Sequence, residues 1–427
     1  MSFRSRPESS SAGRSSLLRN RDLAVSTAAR AVSVFGDQLA VIVLVLGVHD
    51  RGGGAWGVAG VLAAGALPAV LLSVVAGALA DRCDSRALLI SGSLVQVMAC
   101  LLLAFSSSVA VVLALVSVLG AVEAVTSATW QALVPRMVGE EHIAAALALE
   151  RTATTSVSLV APVAAGALVA AYGTRLPLVL DAATYLAVLV AAIGVRTRRH
   201  PSAAGSPTRS RMWDGFVFVR SDPVVRPLLT SLVVFVLLGG AVNVVDVFLV
   251  RDTLAASDAW YGAVTAVWLT GMIAGSVLGG SMRTEAAQIR AALGGAATVA
   301  VALGAIAAVP SVGWLVPLEL VGGIGNGMLN VTAGALLLGR TPEPLRGRVS
   351  AAVGGAASAA VLGALALGGV LTTELSPRTI FVIAATAGAL CVATTWVPLT
   401  RRRDGSPQQP EYPHCPSRHY LQSGPPR

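Results

Sequence analysis

The chain alternates between long apolar runs and short polar breaks. The apolar runs fall at about 25–48, 55–80, 87–105, 109–131, 143–171, 176–195, 227–250, 259–281, 289–309, 313–337, 348–373 and 378–398. Each is near the ~20 residues that an α-helix needs to cross a bilayer. In lipid every backbone N–H and C=O needs a partner within the structure, so runs of this length predict helices. The expected fold is all-α and membrane-embedded: twelve transmembrane helices in two pseudo-symmetric six-helix bundles. The breaks carry as much information as the runs. In Gly77-Ala-Leu-Ala-Asp81-Arg82-Cys-Asp-Ser-Arg86 one apolar run ends and two arginines and two aspartates follow within six positions. The next run starts at Ala87, so this is the charged hinge of a helical hairpin.

The polar stretches set the expected domain boundaries. Residues 1–22 are rich in Arg and Ser and read as a disordered cytoplasmic tail. The first apolar run is too long and too interrupted for a cleavable signal. Residues 23–195 hold the first six segments, 196–226 form a cytoplasmic linker, 227–400 hold the second six, and 401–427 are a proline-rich disordered tail. Within the linker, Met212-Trp-Asp-Gly-Phe-Val-Phe-Val219 reads as a short interfacial helix with its aromatics at headgroup level. Equal halves joined by a linker point to an internal repeat. Thr129-x-x-Ala132-Leu133 and Thr332-x-x-Ala335-Leu336 align across the halves, which puts Glu123 and Asn326 at equivalent positions.

Composition removes the soluble alternatives. Hydrophobic residues make up 55% of the chain and charged residues 12%, against about 25% charged in a soluble domain. The net charge is +9, and every one of the 31 basic residues is arginine. A basic chain can signal nucleic acid, but these arginines sit in the short breaks. With the N-terminus inside, 25 fall on the cytoplasmic side, while Arg51, Arg175, Arg251 and Arg378 fall outside and Arg30 and Arg151 within segments. That asymmetry predicts a plasma-membrane protein with both termini in the cytoplasm and no nucleic-acid partner. Cys83, Cys100, Cys391 and Cys415 lack paired or metal-ligand spacing, and His414-Cys415-x-x-x-His419 offers three ligands at most in the tail. No G-x-x-x-x-G-K-[ST] loop is present, nor a His/Ser/Asp constellation within the segments. No metal, cofactor or enzymatic activity is expected.

The hinge also carries a family resemblance. Gly77-x-Leu79-x-Asp81-Arg82-x-x-x-Arg86 resembles the signature loop between helices 2 and 3 of the major facilitator superfamily, with Ser85 where that pattern often has another basic residue. Phe35-Gly36-Asp37, Leu67-Pro68-Ala69, Leu133-Val134-Pro135, Asp181-Ala-Ala-Thr184-Tyr185 and Arg346-Gly347-Arg348-Val349 are similar to its macrolide-efflux and enterobactin-exporter branch. The resemblance covers about residues 23–400. It implies the major facilitator fold, with two bundles around a central cavity, alternating access, and a monomer. It also implies a gate in the signature loop, formed by Gly77, Asp81, Arg82 and Arg86. Asp81 would contact the start of helix 11, near Arg346 and Arg348, in the outward-facing state. Ala161-Pro162-Val-Ala-Ala-Gly166 resembles a reduced Gly-Pro-x-x-Gly-Gly element of the family's antiporters. A packing kink is the alternative: Pro162 bends the helix and Gly166 admits a close neighbour.

An ionisable group at the centre of a bilayer costs about 3 kcal/mol on insertion scales, so each one needs a reason. Asp37 has Arg30 on the same face; it binds a proton or a cationic substrate, or pairs with an arginine of a neighbouring helix. Glu123, Thr126, Ser127 and Trp130 form a polar stripe that faces a wet cavity, or makes interhelical hydrogen bonds. Glu319 shares a face with Gly323, Asn326 and Asn330, as part of a site or as a snorkelling group. Asp246 follows Asn243 by three residues; it is a coupling candidate, or a surface partner of Arg251. Gly271, Gly275 and Gly279 lie on one face and predict close helix packing. The cavity is expected to be lined mostly by Ala, Val, Leu and Thr, and 5% aromatics argues against stacking of flat dyes. The expected activity is proton-coupled efflux of small, amphipathic, drug-like molecules by a secondary-active transporter. An uptake symporter or uniporter, and a non-transporting receptor or membrane enzyme, remain as alternatives.

Overall fold

A computed structural model describes residues 20–197, 219–222 and 225–400. The two tails beyond these bounds, with His414, Cys415 and His419, lie outside the described residues, as does the linker segment Met212–Phe218. Twelve described helices are long and apolar enough to cross a membrane. They are α1 (Arg21–Asp50), α2 (Gly54–Arg82), α3 (Ser85–Phe105), α4 (Val109–Val138), α5 (Ile143–Tyr172) and α6 (Arg175–Gly194), then α7 (Val225–Phe248), α8 (Asp258–Gly280), α9 (Glu285–Ile306), α10 (Leu315–Arg340), α11 (Arg346–Glu374) and α12 (Pro377–Thr400). No strand occurs among the described residues.

Local chemistry explains where the helices start and stop. The chain becomes helical at Arg21, so the last two residues of the expected tail belong to α1. Asn20 is the cause: its Oδ1 accepts from Leu23 N at 3.2 Å, and its Nδ2 donates to the Met137 carbonyl at 2.6 Å. At the charged hinge Asp84 caps α3 by accepting from Ala87 N at 3.0 Å. Ser85 is 1% exposed in that first turn, so a small side chain fits where a long basic one would not. Thr284 caps α9 in the corresponding turn of the second half. The fourth helix runs on past residue 131 to Val138, with Pro135 in its last turn. The seventh continues as a π-turn over Leu249–Thr253.

The two halves are wired alike. In the first, α1 packs on α5 and α6, α2 on α4, and α3 on α4 and α6; in the second, α7 packs on α11 and α12, α8 on α10, and α9 on α10 and α12. Two interfaces join the halves, α5 with α8 and α2 with α11, and the same exchange of halves relates them. The fold is therefore two pseudo-symmetric six-helix bundles. Glycine makes the tightest seams. Cβ atoms added at Gly271 or Gly275 would strike the α10 backbone at Leu320–Ile324, as the one-face glycine pattern predicts. Without lateral hydrophobic drive in lipid, such close backbone approach is a main source of cohesion.

One end of the molecule holds the α2–α3, α4–α5, α8–α9 and α10–α11 turns; it is called the arginine-rich end here, and the other the far end. Each bundle is tied internally at the arginine-rich end. Asp22 of α1 accepts from the N–H groups of Arg196 and Thr197 just past α6, at 3.1 and 2.8 Å. Arg340 of α10 donates to Glu285 of α9 at 3.0 Å and pairs with Asp222 at 3.6 Å. Close contacts between the bundles lie in the far half. Gly166 of α5 meets the backbone of Asp258, Ala259 and Gly262 of α8, and Gly369 of α11 meets Trp56 and Ala59 of α2. At Gly77, Gly347, Gly354 and Gly355 an added Cβ would meet nothing within 4 Å.

Candidate functional site

Between the bundles lies a cavity of about 500 Å³. It is lined from α1, α2 and α5 on one side and from α7 to α11 on the other. Most of the wall is Val, Leu and Ile. Two charged residues line it, Asp246 of α7 and Glu319 of α10, and both are acidic. Glu319 is 7% exposed. The Asp246 charge acts on Glu319, so the two carboxylates form one electrostatic unit. Oδ1 of Asp246 is buried and makes no hydrogen bond among the described residues. Asn243, Asn326 and Asn330 add amide groups to the wall, and Asn330 Nδ2 donates to Asn326 Oδ1 at 2.9 Å. The face shared by Glu319, Asn326 and Asn330 is thus the cavity face of α10.

The cavity wall carries Phe235, Tyr261 and Trp268, three of the chain's 20 aromatics, among mainly aliphatic side chains. One expected alternative falls away here. Asp246 does not pair with Arg251. Residues five apart on an α-helix are ~140° apart around the axis, so the two point different ways. Arg251 instead crosses to the other bundle, lying 3.4 Å from Asp50, and it also meets Asp258 at 3.2 Å. His49 reaches Asp252 at 3.1 Å. These groups tie the bundles together at the far end, directly above the Gly166–Gly262 crossing. That crossing is where the Pro162–Gly166 element sits: a Cβ at Gly262 would strike the Pro162 carbonyl.

The acidic groups of the first bundle have a different setting. Tyr185 of α6 donates to Asp37 of α1. Asp181 of α6 is 1% exposed, and accepts from Cys100 Sγ at 3.1 Å and Thr184 Oγ1 at 3.2 Å. Gly36 lies so close that a Cβ would collide with Asp181 and Thr184 side chains. Two motif pieces far apart in sequence, Phe35–Asp37 and Asp181–Tyr185, therefore build one buried seam. Glu123 accepts from Gln96 at 3.3 Å and Thr126 at 3.2 Å. Its stripe faces the interior of the bundle: Thr126 and Trp130 are buried, and the space beside Glu123 is about 10 Å³, room for about one water. Arg30 does not pair with Asp37; it binds Glu150 of α5 and lies 3.5 Å from Ser127.

At the arginine-rich end, Arg86 donates to the Ile193 carbonyl at 2.5 Å and so holds the end of α6 within its own bundle. Arg82 is exposed. Arg346 donates to the Thr341 carbonyl at 3.4 Å and lies 3.9 Å from Glu343. Below the central cavity a second cavity of about 500 Å³ opens toward this end, lined by α1, α4, α5 and α8. Gln38 and Leu269 line both. Sequence reasoning passed over Glu150 and Tyr261, gave Asp181 only as part of a motif, and did not bring His49, Asp50, Arg251 and Asp252 together. A carboxylate inside an apolar run was a usable signal for Asp181 and Glu150. Nothing local marks the far-end group, because its members come from turns about 200 residues apart.

The comparisons agree with this architecture. No curated protein sequence is similar to the chain at a significant level. Among solved structures, the nucleoside transporter NupG is similar with a TM-score of 0.72 at 11% identity, over 89% of this chain and 99% of that one. A bacterial homolog of the human lysosomal transporter Spinster, inward-facing and unoccupied, is similar with a TM-score of 0.69 at 14% identity, over 91% and 97%. A POT family transporter bound to a thioalcohol-conjugated peptide is similar with a TM-score of 0.67 at 13% identity, over 89% and 96%. At such identities the likeness is one of fold. Residues 19–411 match the family described as "Transmembrane secretion effector". With its twelve helices, paired bundles and central cavity, the chain belongs to that family of major facilitator transporters and is a multi-pass membrane protein.

Proposed function

We propose that the chain is a proton-coupled exporter of small amphipathic molecules, of the kind represented by macrolides and siderophores. The observation that carries this is the central cavity: apolar and aromatic walls with two neighbouring carboxylates and no basic residue. Such a wall holds an apolar body and one positive charge, either a proton or a basic group of the substrate. Proton and substrate compete for the Asp246–Glu319 pair, and this competition couples their opposite movements. Asn326 would orient polar groups of the substrate. Asp37 and Glu123 lie behind the wall, in a position to transmit a charge change to α1 and α4.

Alternating access would work through the two ends. In the state described here the bundles meet in the far half. Return requires the Gly166–Gly262 crossing and the His49–Asp252 and Asp50–Arg251 contacts to part, while Asp81 approaches the start of α11 near Arg346 and Arg348. Pro162 and Gly166 then serve as the hinge of the crossing, with Gly77, Arg82 and Arg86 shaping the opposite gate. The arginine asymmetry supports a plasma-membrane location with the arginine-rich end and both termini in the cytoplasm. The test is efflux of labelled macrolides, siderophores and lipophilic cations from loaded cells, with and without a protonophore. Export of a member that stops when the proton gradient collapses is the expected result. Inward movement of the same compounds would reverse the assigned direction.

A further inference from the structure

The second cavity differs from the first in its charge. Arg30, Glu150 and Arg151 line it, together with Gln131 and the hydroxyls of Thr154, Thr155 and Ser158. Arg30 is neutralised: it binds Glu150, and its charge also acts on Glu123. Arg151 is not. It is exposed at the cavity, about two turns inside the helix start at Ile143, and among the described residues no ion pair or side-chain hydrogen bond reaches its guanidinium. Arg151, Thr154, Thr155 and Ser158 are spaced i, i+3, i+4 and i+7, so guanidinium and hydroxyls share one helix face, and that face lines the cavity. Thr154 and Ser158 give their hydroxyl hydrogens to helix carbonyls, which leaves the guanidinium as the group that suits a carboxylate or phosphate. The acidic cavity and this basic one are adjacent: Gln38 and Leu269 line both.

We infer that the transported molecule is an elongated zwitterion, whose basic group is held by Asp246 and Glu319 and whose anionic group is held by Arg151. This rests on the reading of the central cavity as the substrate site and narrows its substrate class. The spacing sets the length. Pro162 lines the acidic cavity and Arg151 the basic one, and eleven residues of α5 separate them, about 16 Å along the axis. An extended chain of twelve carbons spans a comparable distance. Each charged end then leaves water for an opposite charge, and the apolar body lies against Leu269, Trp268 and their neighbours.

The test uses the full chain in lipid nanodiscs and three matched probes: 12-aminododecanoate, dodecylamine and dodecanoate. Binding is read from tryptophan fluorescence, with empty nanodiscs as the partition control. The expected order is 12-aminododecanoate at least tenfold tighter than dodecylamine, with dodecanoate weakest. In Arg151→Gln the tenfold preference for the zwitterion over the amine disappears; in Arg151→Lys, which keeps the charge, most of it remains. Equal binding of amine and zwitterion by the unmodified chain overturns the inference while leaving the cavity reading intact. So does a tenfold preference that survives Arg151→Gln. Failure of dodecylamine to bind at all removes the cavity reading beneath it.

Discussion

The two bundles share one wiring scheme and use their acidic residues in opposite ways. In the first bundle, Asp37, Glu123 and Asp181 are each bonded within the bundle, to Tyr185, to Gln96 and Thr126, and to Cys100 and Thr184. In the second, Asp246 and Glu319 face the central cavity, and Asp246 keeps an oxygen without a hydrogen bond. A carboxylate already supplied with donors gains little from a new partner. One in a cavity wall, with an oxygen that has no hydrogen bond, gains more from a proton or a cation. The difference teaches that equivalent helices in a repeat fold can set their carboxylates in bonded and in cavity-facing surroundings.

The sharpest way to break this comparison is to neutralise the second pair. Asp246→Asn with Glu319→Gln should reduce gradient-driven transport at least tenfold while leaving folded yield unchanged, read by flux and by size-exclusion profile. An equally large effect follows from blocking the crossing between bundles. Gly262→Leu drives a side chain into the Pro162 carbonyl and holds the far end apart. Reagent access to a cysteine placed at the far end should rise, and transport should stop.

In the first bundle the expected effect falls on stability. Gly36→Ala overpacks the seam against Asp181 and Thr184, at a cost of about 1–3 kcal/mol. It should lower the thermal midpoint in detergent, with the remaining folded protein still binding substrate. The smallest effect is expected at the His49–Asp252 contact. Asp252 is 55% exposed, and exposed ion pairs contribute about 1 kcal/mol or less. Asp252→Asn should change the exchange rate a few-fold at most, and added salt should mimic it in the unmodified chain.

Much of this was legible in the sequence. The apolar runs locate all twelve helices, and the glycines at 271 and 275 announce the α8–α10 seam. Glu319, Asn326 and Asn330 read as one face because helical spacing alone decides it. Partners across the fold were not legible. Tyr185 lies 148 residues from Asp37, and neither residue's neighbours reveal the bond. For the polar stripe at Glu123 the sequence left a cavity and an interhelical hydrogen bond both open; the partner that decides it, Gln96, lies on another helix. For Asp246 the sequence left two readings open; its angle around α7 excludes Arg251 and puts it in the cavity wall.

The central claim is that the second bundle's carboxylates, and not the first's, carry the charge exchange. The direct test is pH-gradient-driven flux of a lipophilic cation in proteoliposomes, comparing the double variant Asp246→Asn/Glu319→Gln with Asp37→Asn/Glu123→Gln. The account predicts that the first variant loses gradient-driven flux and the second retains it at a rate within a few-fold of the unmodified chain. Flux that survives in the first variant and vanishes in the second would contradict it.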